Sequence, residues 1–160
     1  MKYVYAEDIQ KIAEEISRLL FPYVDLERTK CFRSYGSSSK GTIARCHTIG
    51  KLMQKAMNVD AHYALEFISE NFDKLPEEEK IKTIIHELMH IPQTFGGGFR
   101  QHDHVCERNV NQGYRTYKEK KKEVEENDVF GLREIKWKNQ DNAKCLKEIK
   151  KNAEKGFFYL

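Results

Sequence analysis

Hydrophobic residues recur every three or four positions across residues 7–20, the spacing of one face of an α-helix. Acidic and basic side chains occupy most of the positions between them. Pro22 follows shortly afterwards and cannot continue a helix. The pattern therefore predicts an amphipathic helix that packs through a single apolar stripe. This stripe consists of Ile9, Ile12, Ile16, Leu19 and Leu20.

The next part of the chain has the shorter patterns typical of β-strands. Two β-prone runs within residues 24–48 flank the glycine- and serine-rich stretch YGSSSKG, which predicts a hairpin. Residues 63–68 alternate apolar and more polar side chains, which predicts a strand with one buried face. Between them, residues 51–58 carry a helical pattern whose apolar side is predicted to face the core. This side consists of Leu52, Met53, Ala56 and Met57.

A second amphipathic helix is predicted to begin near Pro76. Proline fits the first turn of a helix, and the three glutamates after it favour the positive end of the helix dipole. The residues beyond about 104 form a further, highly charged helical region. We therefore expect an α+β fold, a small, mostly antiparallel sheet packed on the second helix with additional N- and C-terminal helices. The apolar stripe of that helix consists of Ile81, Ile84, Ile85, Leu88 and Met89.

The composition of the chain excludes several classes of protein. Its 160 residues, 39% of them hydrophobic, fit one domain over residues 1–160. No apolar run approaches the roughly 20 residues that span a bilayer, so we expect no membrane partner. A net charge of +3 is small for a protein with a basic nucleic-acid-binding surface, which argues against nucleic acid as a partner.

The cysteines and the first residues indicate a reducing compartment. The four cysteines form no C-x-x-C pair, and charged residues follow Met1 too closely for a secretory signal. We therefore expect free thiols and a cytoplasmic location. Residues 157–160 are Phe-Phe-Tyr-Leu, apolar enough to dock on the core or on a second copy of the chain as a homo-oligomer.

One segment has the pattern of a metal site. His86-Glu87-Leu88-Met89-His90 is an H-E-x-x-H motif within the second predicted helix. At about 100° per residue, His86 and His90 lie about 40° apart, on the face opposite the apolar stripe. Two imidazoles at this spacing can bind one zinc ion, and Glu87 falls beside the open position of the ion. The motif therefore predicts a Zn²⁺ site with Glu87 as the catalytic residue.

A catalytic zinc site needs a third protein ligand. A proline ends the helix, and the glycines at 96–98 permit a sharp reversal that can return downstream residues to the metal. His102 is the preferred ligand, because Asp103 would then cap the next helix and leave His102 on the incoming loop. His104 is the second choice and Glu107 the third. Asp103 is alternatively an acceptor for a ligand imidazole.

Several motifs in order resemble those of the phage and archaeal metallopeptidases. An R-S-x-G-S segment stands at residues 33–37 and H-E-L-x-H-I-P at residues 86–92. A glycine-rich turn follows at 96–98, and an H-D pair at 102–103. The resemblance covers about residues 31–110.

Membership in this family implies a zinc-dependent peptidase with a minimal zincin-like core. A more distant similarity to the SprT and YgjP-like proteins implies the same core. Where the family pattern has a further histidine before the H-D pair, this chain has Gln101, which leaves His102 as the matching ligand position.

The resulting hypothesis is hydrolysis of a peptide or protein substrate. Zinc held by His86, His90 and His102 would activate a water molecule, and Glu87 would accept the water proton and pass it to the leaving amine. A strand within residues 63–68 is expected to hold the extended substrate by main-chain hydrogen bonds. The donor to the oxyanion is left open among Tyr35, Arg33, Arg100 and Tyr114.

Two other functions fit the same residues. A zinc-dependent nuclease or other hydrolase would need a basic surface beside the cleft, whereas the lysines at 118–122 lie in a segment of mixed charge. A non-catalytic interaction module would hold a structural zinc ion or none. The specificity of the H-E-x-x-H motif favours the peptidase.

Overall fold

The computed structural model of the chain describes residues 1–129. Proximity of Cα atoms groups residues 1–122 into one compact unit and the residues from 123 onward into another. The described part contains four strands and five helices. In chain order these are β1 (Lys2–Tyr5), α1 (Glu7–Leu20), β2 (Thr29–Tyr35), β3 (Ala44–Thr48), α2 (Lys51–Met57), β4 (Tyr63–Ile68), α3 (Ser69–Phe72), α4 (Glu77–Met89) and α5 (Glu107–Val129).

Residues 130–160 lie outside the described part. The single domain over residues 1–160 and the homo-oligomer contact through residues 157–160 therefore stay predictions. None of the helices within residues 1–129 is long and apolar enough to cross a bilayer. The cytoplasmic location stays a prediction as well.

The four strands form one mixed sheet in the order β1-β2-β4-β3. β1 pairs antiparallel with β2, and β3 pairs antiparallel with β4, whereas the central pair β2–β4 is parallel. The α+β class is confirmed. The sheet is mixed and not simply antiparallel, because the connection from β2 to β4, which contains β3 and α2, returns the chain to the same end of the sheet.

The hairpin predicted within residues 24–48 is wrong, because β2 and β3 do not pair with each other. β4 lies between them and pairs with both. Leu65 and Phe67 of β4 are fully buried, and a central strand removes more apolar surface from water than an edge strand. Residues 63–68 are consequently buried on both faces, and the prediction of a half-buried strand is also wrong.

Helices α1 and α4 pack against each other and against the sheet. α1 has the predicted bounds, buries Ile9 and Ile16 of its apolar stripe and leaves Ile12 half-buried. The stripe of α4 places Ile84, Ile85 and Leu88 in the core, where each fully buried side chain contributes roughly 1.5–3 kcal/mol. This burial fixes the rotation of α4 about its axis and turns its opposite face away from the core.

The core-facing role predicted for α2 is wrong. None of its residues is buried, and Leu52 is 82% and Met57 55% exposed. The connection between two neighbouring antiparallel strands lies at the end of the sheet, beyond the layers that cover it. Gln54 instead joins α2 to the segment after α4, since its side-chain amide donates to the Gly96 carbonyl at 3.2 Å and to the Ile49 carbonyl at 2.7 Å.

Candidate metal centre

Helix α4 carries two of the predicted ligands on the face that is turned away from the core. The helix begins after Pro76 and ends at Met89, with His90 at its C-cap. Its geometry places His86 and His90 one turn apart, so both imidazoles project to the same side. Both residues are half-buried.

The structure brings His102 to this pair. The ring centroids of His86 and His90 lie 5.0 Å apart, and the His102 centroid lies 5.9 Å and 5.0 Å from them. One ring nitrogen of each residue lies within 4.8 Å of the other two. The Nε2 atoms of His86 and His90 are 3.3 Å apart. Two Zn–N bonds of 2.0–2.1 Å at a tetrahedral angle span about 3.3 Å, so this spacing fits one zinc ion.

A backbone carbonyl orients the second of these imidazoles. The Nδ1–H of His90 donates to the Arg100 carbonyl at 2.9 Å, and the Arg100 N–H donates to the His90 carbonyl at 2.8 Å. A carbonyl can only accept, so this hydrogen bond leaves the lone pair of Nε2 free on the side of the cluster. Such a second contact is typical of metal-binding histidines and fixes both tautomer and ring orientation.

The surroundings of His86 and His90 favour the neutral form of these two imidazoles. Burial, followed by the proximity of His90 and His102, lowers the pKa of His86 to about 4. Burial and His102 also lower the pKa of His90, against the opposing hydrogen bond to Arg100. A neutral imidazole offers the lone pair that a metal ion requires.

The loop that carries His102 is held by residues far away in the sequence. Tyr63 of β4 accepts a hydrogen bond from the Gly97 N–H at 2.9 Å and donates its hydroxyl to the Gly98 carbonyl at 3.0 Å. Gly97 has φ +87°, and a Cβ there would lie 2.1 Å from Nε2 of Gln54. The turn therefore requires glycine at this position, because only glycine avoids both the strained backbone and the clash.

Glu87 lies in a cavity of about 350 Å³ together with all three histidines. The residue is only 5% exposed, although it is an acid. Burial raises the pKa of Glu87 to about 7, while the backbone N–H of Cys46 opposes that shift. A carboxyl group with a pKa near neutrality is suited to accept and release protons.

Strand β3 forms the opposite side of this cavity through Ala44 and Cys46. Within the described residues it is an edge strand, and its partner is β4. The Ile43 carbonyl accepts from β4 at one end, and the Ile49 N–H donates to the residue before β4 at the other. Backbone groups of an antiparallel strand alternate in direction, so those of Ala44 and Cys46 point away from β4, towards the cavity.

The alternative ligands lie outside the histidine cluster. Among the described residues, the group able to hold a metal consists of the three histidines alone. His104 lines a different cavity, beside Met89. Asp103 accepts a hydrogen bond from the His104 N–H at 2.8 Å, and α5 begins only at Glu107. Asp103 therefore neither caps α5 nor orients a ligand imidazole, and the Arg100 carbonyl takes the second of these roles.

One of the four candidate oxyanion donors, Arg100, lines the cavity. Tyr35 and Tyr114 do not line it, and neither does Arg33. The Arg33 guanidinium instead binds two carboxylates, one on α1 at 2.6 Å and one after α3 at 3.1 Å. Arg33 of the R-S-x-G-S segment therefore supports the packing of α1 on the sheet and not the histidine cluster.

Four groups that support the site carry little or no sequence signal. Two are backbone atoms, the Arg100 carbonyl and the Cys46 N–H, which no side-chain pattern reveals. The Gln54 amide lies on a helix that was expected to face the core. Tyr63 offers the one available signal, because the hydroxyl of a buried tyrosine usually finds a partner.

One protein-family model matches most of the chain. Residues 1–130 match the family model described as "Putative phage metallopeptidase", a span that includes all three histidines and Glu87. No curated protein and no solved structure matches. The zincin-like core and the distant similarity to the SprT and YgjP-like proteins therefore stay predictions. The match over more than half of its length shows that the chain belongs to the phage metallopeptidase family.

Proposed function

We propose that this protein is a zinc-dependent metallopeptidase that hydrolyses peptide bonds. His86, His90 and His102 hold the ion, and Glu87 is the general base. The observation that carries the proposal is the convergence of three imidazoles beside a buried carboxylate in one cavity. A donor set of three histidine nitrogens with an open fourth position suits catalytic zinc, and membership in a metallopeptidase family supports peptide bonds as the substrate.

Glu87 performs the proton transfers in this proposal. A zinc ion at the cluster, when bound, supplies a Lewis acid and lowers the pKa of a water ligand. The Glu87 carboxylate takes the proton of the attacking water and delivers it to the leaving amine. The Cys46 N–H fixes the position of this carboxylate. Arg100 is the candidate donor to the oxyanion, because it lines the same cavity.

The free edge of β3 is where an extended peptide binds. The outward N–H and C=O groups of Ala44 and the outward C=O of Cys46 add the peptide as a further strand beside the histidine cluster, while the Cys46 N–H stays with Glu87. The strand expected to do this, within residues 63–68, is β4, and both of its edges are already paired. That expectation is therefore wrong, and β3 takes the role.

The variant Glu87→Gln tests the proposal. Zinc-loaded protein is mixed with a pool of peptides, and the products are identified by mass spectrometry. We expect the variant to keep stoichiometric zinc and to lose at least about a hundredfold in cleavage rate, since a general base contributes 10²–10⁴-fold. Glu77→Gln, in the exposed first turn of the same helix, is the matched control.

Two outcomes contradict the assignment. Loss of zinc from Glu87→Gln would make Glu87 a ligand, and cleavage at the wild-type rate would remove it from the chemistry. Single-stranded RNA and DNA in place of peptides test the nuclease alternative, which requires their zinc-dependent cleavage.

A further inference from the structure

A second cavity, of about 470 Å³, opens beside the one that holds the histidines. Ala44, His86 and Glu87 line both cavities, which therefore form one continuous groove. The second cavity lies between the segment leading into β3, the exposed side of α4 and the first turn of α5. The residues of its far wall, on α5, have no role in the proposed function.

Some of the charged side chains around this second cavity form ion pairs with each other, and one carboxylate does not. Lys82 forms ion pairs with Glu78 at 2.7 Å and with Glu79 at 3.1 Å. The Glu107 carboxylate, at the start of α5, has no ion pair or hydrogen bond with another side chain of residues 1–127. An unpaired carboxylate consequently faces the cavity, while its one lysine is already paired.

The remaining walls suit a long aliphatic stem. Ile43 and Val110 line the cavity with apolar surface, and the Asn111 amide adds a hydrogen-bonding group beside Glu107. Lysine and arginine bury their methylene groups against apolar surface and keep the charged end near water or a counter-charge. A cavity that combines the apolar surface of Ile43 and Val110 with the Glu107 carboxylate suits such a side chain.

The direction of the substrate decides which of its residues enters this cavity. Antiparallel pairing is the more stable way to add a strand to the edge of β3. A peptide in that direction runs from Cys46 towards Ile43, so the residues after the scissile bond reach the second cavity. The side chain that follows this bond lies closest to it.

We propose that this cavity receives the side chain of the residue after the scissile bond and selects lysine or arginine through Glu107. The inference rests on the proposed peptidase function. The N-terminal end of the α5 dipole favours anions, but Glu107 occupies the first position of that helix and offsets this field with its own charge. Glu107 is therefore a specificity residue and not the metal ligand that the sequence offered as a third choice.

Binding to zinc-loaded Glu87→Gln protein tests the inference without turnover. The probes are pools of blocked hexapeptides in which one scanned position carries lysine, norleucine or glutamate. At one position we expect the lysine pool to bind about threefold more tightly than the norleucine pool, the usual scale of a partly exposed ion pair. Adding Glu107→Gln removes this difference and Glu107→Lys reverses it in favour of glutamate. Adding Glu119→Gln, an exposed acid further along α5, preserves it.

Cleavage by the wild-type protein separates the two proposals. The new N-termini of peptide products are expected to be enriched in lysine and arginine, and this enrichment disappears in Glu107→Gln. Lysine-selective binding without cleavage overturns the peptidase function and keeps the cavity as a basic-residue site. Cleavage without this preference, equal binding of the pools or no binding overturns the role of Glu107.

Discussion

The two walls of the histidine cluster are built in different ways. The helix wall is α4 with His86 and His90, whose separation is set by backbone hydrogen bonds over a single turn. The loop wall is residues 94–102, which places His102 through contacts with side chains 34 to 42 positions away in sequence. The helix wall therefore exists as soon as α4 forms, whereas the loop wall exists only once β4 and α2 are in place.

This difference separates metal affinity from the stability of the fold. The helix wall is part of an element that also builds the core, since the buried Ile85 and Leu88 lie on the same helix as its two histidines. The loop wall adds less to the core, because His102 is exposed and Phe95, whose ring lies 4.8 Å from that of Tyr63, is only partly buried. We expect substitutions in the loop wall to weaken metal binding more than they destabilise the protein.

The largest effect is expected from removing the ligand of the loop wall. His102→Ala should lower zinc affinity by about a hundredfold or more, since one of the three proposed ligands is lost, with little change in thermal unfolding of the metal-free protein. His104→Ala is the matched control, because His104 lies outside the cluster. Competition with a chromophoric chelator measures both affinities. If His104→Ala is the variant that loses zinc, the assignment of the loop wall is wrong.

Gly97→Ala should have the next largest effect. The new Cβ would meet Nε2 of Gln54 at 2.1 Å and the Ile49 carbonyl at 2.6 Å, on a backbone with φ +87°. We expect a loss of roughly 1–3 kcal/mol, felt mainly as weaker zinc binding through a displaced His102. Gly98→Ala meets nothing within 4 Å and serves as the control. Calorimetric titration with zinc compares them, and equal affinities would show that the turn is not strained.

A smaller effect is expected from Tyr63→Phe, which keeps the ring and removes two hydrogen bonds to the loop wall. Each bond contributes about 1 kcal/mol, so the loss of both should lower zinc affinity by up to about thirtyfold. Tyr117→Phe is a control of the same chemistry, since its hydroxyl donates to Glu15, far from the cluster. Zinc affinity should be normal in that variant, although its stability falls. Normal zinc binding by Tyr63→Phe together with weaker zinc binding by Tyr117→Phe would contradict the role of Tyr63 in positioning the loop wall.

The smallest effect concerns a pair remote from both walls and depends on pH. The hydrogen bond from Arg33 holds the pKa of Asp8 below its usual range. The pair therefore stabilises the fold above the unfolded pKa of about 3.9 and loses this contribution as the pH falls through the lower folded value. Asp8→Asn should be slightly less stable than wild type at pH 7 and equal to it in strong acid, as urea unfolding at several pH values would show. Weaker zinc binding by Asp8→Asn at pH 7 would contradict the view that the Asp8–Arg33 pair acts on the stability of the fold alone.

The same contrast separates what could be predicted from sequence. The helices α1 and α4 follow from periodicity alone, because the period of an amphipathic helix is local. The position of β4 between β2 and β3 does not follow from periodicity, since strand order depends on which pairing buries the most surface across the whole sheet. The exposure of α2 is of the same kind, because seven residues with a helical pattern do not show whether another layer covers them.

The histidine cluster shows the limit residue by residue. His86 and His90 could be paired from the motif. The preference for His102 over His104 depends on Asp103 as the cap of the next helix, a role that the structure does not give Asp103, although it does bring His102 to the other two histidines. The hydrogen bond from His90 to the Arg100 carbonyl could not be predicted, because the position of a backbone carbonyl depends on how the turn folds. Tyr63 lies in the sequence as an ordinary strand residue, and only the tertiary structure gives its hydroxyl a partner.

The order of the strands in the sheet also constrains how the protein assembles. β3 precedes β4 in the chain, yet β4 is its only neighbour among the strands of residues 1–129. During synthesis β3 therefore emerges before the strand that it pairs with, and it can join the sheet only once residues 63–68 have been made. The strand proposed to hold the substrate is thus among the last parts of the sheet to pair. The groove beside it therefore forms only when the sheet is complete.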